Sequence, residues 1–151
     1  MDIHTSNKAA LAPLRAAMYD FDEAGVRAAL ADIMAPDAVV HMCHPFGDLA
    51  GPGELYETCY APLLASLPDL ERRDYIVMAG PDEFGGDWVG AGGYYTGVFV
   101  APWLDIPPTG HQVHMRFHEF YKFVDGKVVE VQTLWDIPCL LYTSDAADER
   151  G

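Results

Sequence analysis

His114, Arg116 and His118 alternate along a stretch rich in aromatic and β-branched residues, so in a strand all three side chains project from one face. Facing a pocket, two imidazoles around a guanidinium would make a proton relay beside an anion holder. Facing solvent, they would simply be hydrated. The pocket-facing arrangement is adopted, with His118 as general acid or base because imidazole exchanges protons near neutral pH, and with His114 and Arg116 as substrate-binding groups. Asp136 follows Trp135, and an apolar neighbour raises a carboxyl toward the range of a general base; the competing role is a cap on a following helix. His41 and His44 fall on opposite faces of a short strand, so at most one of them faces a pocket. His41 lies mid-strand and is chosen as the auxiliary catalytic donor, while His44 enters a turn. Trp88 and Tyr94 share strand parity, and together with Trp135 they supply flat apolar walls for a ligand.

Metal chemistry is the minor alternative. His114 and His118 share a strand face, but zinc needs three or four converging ligands. Cys43, Cys59 and Cys139 form neither a CxxC pair nor an even disulfide framework. No metal or other cofactor is therefore expected.

Helices come first among the elements that must position these groups. From Asn7 to Met34, Leu11, Leu14, Met18 and Phe21, then Val26, Leu30 and Ile33, recur at helical spacing, giving two helices or one bent one. Pro13 fits a first turn, and Pro36 ends the segment. Residues 38–44 read as a short strand followed by turn chemistry at Pro45–Asp48 and Gly51–Gly53. A third helix is expected from Glu54 to Ser66, kinked or divided by Pro62. Residues 73–79, 88–100, 113–124 and 127–135 read as strands, the last two joined by an Asp125-Gly126 hairpin. Glycines at 90, 92, 93 and 97 permit sharp bending of the longest strand. Helices followed by a run of strands predict an α+β fold: a cone-shaped α+β barrel with N-terminal helices packed on a strongly curved, antiparallel or mixed sheet. The hollow of such a cone is the default ligand site. The proline-rich segment 101–110 makes Trp103 a candidate lid or oligomer contact.

The bulk numbers set the class. With 151 residues, half of them apolar, one domain is expected. A net charge of −14 repels phosphate backbones and anionic membranes alike, so neither nucleic acid nor membrane is expected as a partner. No apolar run of about 20 residues and no signal-like N-terminus is present, and a cytoplasmic location is the default. Residues 139–149 (CLLYTSDAADE) resemble a translated sequencing adapter. Residues 139–151 are therefore set aside as a non-native tail, leaving a domain over 1–138, itself possibly truncated.

From His41 to Pro138 the chain resembles the SnoaL-like polyketide cyclases, within the superfamily of nuclear transport factor two and ketosteroid isomerase. The resemblance is carried, in order, by Gly51-Pro52-Gly53, Leu67-Pro68-Asp69, Gly86-Asp87-Trp88-Val89, Ile106-Pro107-Pro108-Thr109-Gly110, residues 125–130 (DGKVVE) and Trp135-Asp136. It implies cofactor-independent proton transfer in a dry cone, where a carboxylate takes a proton from carbon beside a carbonyl and donors stabilise the enolate. It also implies that the catalytic carboxylate lies near the final strand, where Glu130 and Asp136 are available and Gln132 and Thr133 are not acids. Glu130 reads as solvated, which leaves Asp136. The expected function is a cyclase, isomerase or lyase acting on a small apolar carbonyl compound, in a homodimer. An epoxide-opening hydrolase is the runner-up, weakened because Thr133 stands where an aspartate of that arrangement would be. A non-catalytic ligand-binding or dimerisation module is the third reading.

Overall fold

The computed structural model describes residues 2–138 and 140. Apart from Leu140, which is buried, the expected tail over 139–151 lies outside the described residues. Helix α1 (Ile3–Tyr19) starts where the Asp2 side chain accepts from the Thr5 N–H at 2.9 Å. It buries Asn7, Leu11, Leu14 and Met18, a single stripe at helical spacing. The helix begins earlier than its apolar pattern, so Pro13 lies in its interior rather than in a first turn. Helix α2 (Glu23–Ile33) buries Val26, Leu30 and Ile33, so the Ala-rich segment forms two helices.

The expected third helix is divided in three: α3 (Gly51–Leu55), a π-helical turn over Tyr56–Tyr60, and α4 (Ala61–Ser66). Pro62 has no N–H to give and its ring crowds the carbonyl one turn back, so the chain widens just before it, and the Ala61 N–H bonds to the Tyr56 carbonyl. The widening keeps Tyr56, Cys59 and Tyr60 buried together.

Six strands follow these helices into one mixed sheet: β1 (Met34–His41), β2 (Asp48–Ala50), β3 (Glu71–Pro81), β4 (Asp87–Val98), β5 (Gln112–Val124) and β6 (Lys127–Trp135). Their order is β2-β1-β6-β5-β4-β3, with β1 and β6 parallel and the other pairs antiparallel. The sheet is open, a cone rather than a closed barrel, and strand β2 arises from residues with turn-like composition. Asp125 and Gly126, both at positive φ, close the β5–β6 hairpin as their sequence predicts.

Curvature concentrates in β4. A Cβ on Gly93 would run into the Arg73 backbone opposite, where the β3 register slips between Asp74 and Ile76. A Cβ on Gly90 would lie 2.9 Å from the Phe120 ring. The bent sheet wraps α1 and α3, and its concave face supplies Val89, Tyr95, Val113, Met115, Phe117, Tyr121 and Phe123 to the core.

Candidate functional site

Strand β5 buries every second residue: Val113, Met115, Phe117, Glu119, Tyr121 and Phe123. His114, Arg116 and His118 fall on the opposite phase and are exposed on the outer face of the sheet, not in the cone. The reason is the apolar set itself, which takes the concave face and turns the polar set outward. Trp88 and Tyr94 share that outer face: the Trp88 Nε1 donates to Asp82 Oδ2 at 2.7 Å, and the Tyr94 ring lies 5.4 Å from that of His114. His41 also faces outward, its Nδ1 2.9 Å from Asp48 Oδ1 and its Nε2 3.9 Å from Glu130 Oε2. Asp136 is exposed, with its backbone N–H bonded to the Arg116 carbonyl. Of the catalytic and substrate-binding residues expected from the sequence, Trp135 is the one buried in the cone.

The concave side holds a charged centre that sequence reasoning missed. Glu119 is fully buried, and five donors converge on it. Its Oε1 accepts from Arg72 Nη1 (2.6 Å) and the Tyr121 hydroxyl (2.7 Å). Its Oε2 accepts from the Tyr95 hydroxyl (2.7 Å), Trp135 Nε1 (3.0 Å) and the Tyr60 hydroxyl (3.4 Å). Arg72, 1% exposed, also bonds Asp74 and lies 4.1 Å over the Phe117 ring. Burial alone would raise the Glu119 carboxyl, but the Arg72 charge and the donated hydrogen bonds outweigh it and hold the group below its ordinary value. Burial pushes the hydroxyls of Tyr60, Tyr95 and Tyr121 well up, so all three stay protonated as donors. The signal for Glu119 is its phase: it is the one carboxylate in step with the apolar residues of β5.

Trp135 separates this centre from a hollow of about 630 Å³ at one end of the cone. Cys43, His44 and Pro45 line it from the β1–β2 connection, and Leu104, Asp105 and Ile106 from the loop after β4. Leu134, Trp135, Ile137 and Pro138 close it from the end of β6. Trp103 is buried beside it, 6.3 Å from both the Phe46 and Trp135 rings, so it serves as packing for the loop. Trp103 bridges to Ile106 through Leu104 and Asp105, both at positive φ. For non-glycine residues this conformation costs about 1–2 kcal/mol each, and such strain tends to gather at functional sites. His44 contributes an imidazole, Asp105 a carboxylate and Cys43 a thiol to the lining of this apolar hollow.

A second hollow of about 630 Å³ lies on the outer face against Trp88, Phe120, Lys122 and Glu130. One wall is the 82–86 turn, whose Phe84 is 88% exposed, so that hollow is open and charged rather than dry. Among the described residues no three His, Cys, Asp or Glu side chains come together as a metal site, and no helix is long and apolar enough to cross a membrane.

Comparison with known proteins gives one consistent picture. The model of a family described as SnoaL-like polyketide cyclase matches residues 12–141. A Jannaschia sp. CCS1 structure described as a SnoaL-like polyketide cyclase is 22% identical, with a TM-score of 0.80 over 97% of this chain and 96% of its own. AclR from Streptomyces galilaeus, described as a hydroxylase, is 23% identical, with a TM-score of 0.74 over 94% and 86%. IdmH from Streptomyces antibioticus, described as a polyketide cyclase, is 22% identical, with a TM-score of 0.72 over 90% and 96%. At these identities the likeness concerns the fold. No curated protein matches the chain.

Proposed function

Since this chain belongs to the SnoaL-like polyketide cyclase family, we propose that it performs cofactor-independent acid–base chemistry, of the cyclase or isomerase type, on a small apolar carbonyl compound held in the end pocket. The observation that carries this reading is the pocket itself: apolar walls, a strained Leu104-Asp105 turn, and two groups able to move protons on its lining. In the proposed reaction the Asp105 carboxylate takes the proton from the carbon beside the carbonyl, and His44 donates to the developing enolate oxygen. Asp136 is exposed and is not on the lining, although its chain neighbours Trp135 and Ile137 are. His118, on the outer face, has no part in this scheme.

The experiment is turnover of a panel of aryl ketones and β-ketoesters. Asp105→Asn and His44→Ala remove activity with little change in melting temperature, and His118→Ala retains it. Equal activity in all variants would move the chemistry elsewhere.

One observation favours a non-catalytic binding module instead: His44 and Asp105 are both exposed, where a carboxylate gains little basicity. A wild-type protein that binds these ketones yet exchanges none of their α-protons in heavy water would support that reading. We also propose a homodimer formed through the outer sheet face. There Ile76, Met78, Phe120 and Leu134 are each about half exposed around Gly90 and Gly92.

A further inference from the structure

We propose that the hollow on the outer face, walled by the 82–86 turn, is a second ligand site that takes a small alkylammonium cation, whose nitrogen carries alkyl groups in place of N–H bonds. Its shape follows from the strand register. Gly80, Trp88, Lys122 and Glu130 stand side by side across β3, β4, β5 and β6, and Met78, Gly90, Phe120 and Gln132 form the next row. Gly80 has open space where a side chain would lie, and the Phe120 ring covers Gly90, 2.9 Å from the point a Cβ would take. These two bare positions leave room on the sheet for the hollow of about 630 Å³. The site is independent of the end pocket, with which it shares no lining residue. Ile76 and Leu134 of the proposed dimer face stand in the row beyond Phe120.

One carboxylate holds the turn in place. Asp82 Oδ1 accepts from the Phe84 and Gly86 N–H groups, both at 2.8 Å, and Oδ2 accepts from Trp88 Nε1 at 2.7 Å. These donors, the indole first, hold the Asp82 carboxyl below its ordinary value, so it stays ionised. With its only polar side-chain atom committed, Trp88, partly exposed on the lining, presents apolar ring surface there. Phe84 and Phe120 add two rings that are 88% and 43% exposed. Charge decides what suits such a surface. Asp82, Glu83 and Glu130 set three carboxylates on the lining against the single Lys122 ammonium, in a chain of net charge −14. Lys122 Cε and Asp82 Oδ2 lie 2.9 and 2.7 Å from the same point, where a Cβ on Gly86 would be, so the ammonium offsets Asp82 and leaves Glu83 and Glu130 in excess. Anions are repelled here, and a neutral ligand gains nothing from the carboxylates. A metal ion finds no three converging ligands among the described residues. An alkylammonium uses both features, because its alkyl groups pack on the rings while its charge is drawn by ring faces and carboxylates.

The test uses the full chain, with choline and benzyltrimethylammonium as probes and 3,3-dimethylbutan-1-ol as the uncharged twin of choline. Binding is followed by calorimetry and by the indole N–H signal of Trp88. Both cations bind saturably and shift that signal, and the alcohol does neither. Phe84→Ala and Glu83→Gln, at exposed positions where folding is not at stake, each weaken choline binding by about 3-fold. Lys122→Gln removes the competing ammonium and tightens binding by a similar factor. Asp37→Asn, at an exposed carboxylate outside the hollow, leaves it unchanged. Alcohol binding as tight as that of choline would make the hollow an apolar patch, and equal losses in Glu83→Gln and Asp37→Asn would reduce the effect to diffuse attraction. Either result overturns the proposal, as does the failure of both cations to bind saturably.

Discussion

At the scale of single residues, the decisive one is a carboxylate placed where an apolar side chain would ordinarily go. Glu119 is tolerated because five donors and the Arg72 charge surround it, and removing one partner of such a buried pair costs about 3–5 kcal/mol. Its carboxyl sits below the ordinary value of 4.5 in the folded protein. As pH falls, the unfolded chain takes up this proton first. The stabilisation is therefore complete above the ordinary value and is lost as pH drops below it toward the folded-state value. Melting temperatures measured from roughly pH 6 to roughly pH 3 should fall for the wild type and fall less for Glu119→Gln; parallel curves would show that Glu119 does not carry this dependence. A second residue-scale contrast concerns thiols. Burial pushes the Cys59 thiol up to about 12, whereas Cys43 is partly exposed on the pocket lining. Peptide mapping after iodoacetamide treatment of the native protein should show Cys43 alkylated and Cys59 untouched, and the alkylated protein should lose binding of the aryl ketones. The polar members of β5 drew the eye in sequence because histidines and arginine carry chemistry. Strand parity fixes only that they share a face, and Val113, Met115 and Phe117 decide which face that is.

Among the elements, β4 and the loop after it do the shaping. Gly93 sits against the slipped register of β3, where any Cβ meets main chain that has no flexible end to yield. Gly93→Ala should lower stability by more than about 2 kcal/mol by denaturant titration, whereas Gly80→Ala, with open space around it, should change it by less than about 0.5 kcal/mol. Similar losses at both positions would mean that the bend is not what Gly93 provides. Most of this layer was legible in the chain: apolar spacing marked the helices, enrichment in β-branched and aromatic residues marked four of the strands, and Asp125-Gly126 marked the hairpin. The misses have local causes. Strand β2 is three residues held by β1, too short to carry a pattern of its own. The π-turn before Pro62 depends on how the chain accommodates a missing donor, and sequence shows only that some break must occur. Likewise β1 ends at His41, which leaves the imidazole on the outer face, and the chain beyond it carries His44 to the pocket. Opposite faces were foreseeable for this pair, but which histidine met the pocket was not.

For the molecule as a whole, an open sheet wrapped around helices leaves one large face bare. Its half-exposed Ile76, Met78, Phe120 and Leu134 are the basis for the homodimer proposed above. Sedimentation should give twice the chain mass of 16.6 kDa, and Ile76→Lys with Met78→Lys should halve it without lowering ketone turnover. A wild type that sediments as a single chain would remove the dimer from the account. The central claim is that ligand enters the pocket at the end of the cone, and a crystal structure with 2-acetylnaphthalene bound tests it most directly. The expected result is the naphthalene ring in the end pocket against Leu104, Ile106 and Leu134, with its carbonyl oxygen within about 3 Å of His44 or Asp105. Ligand found instead on the outer face between Trp88 and Phe84, with the end pocket empty, would contradict it.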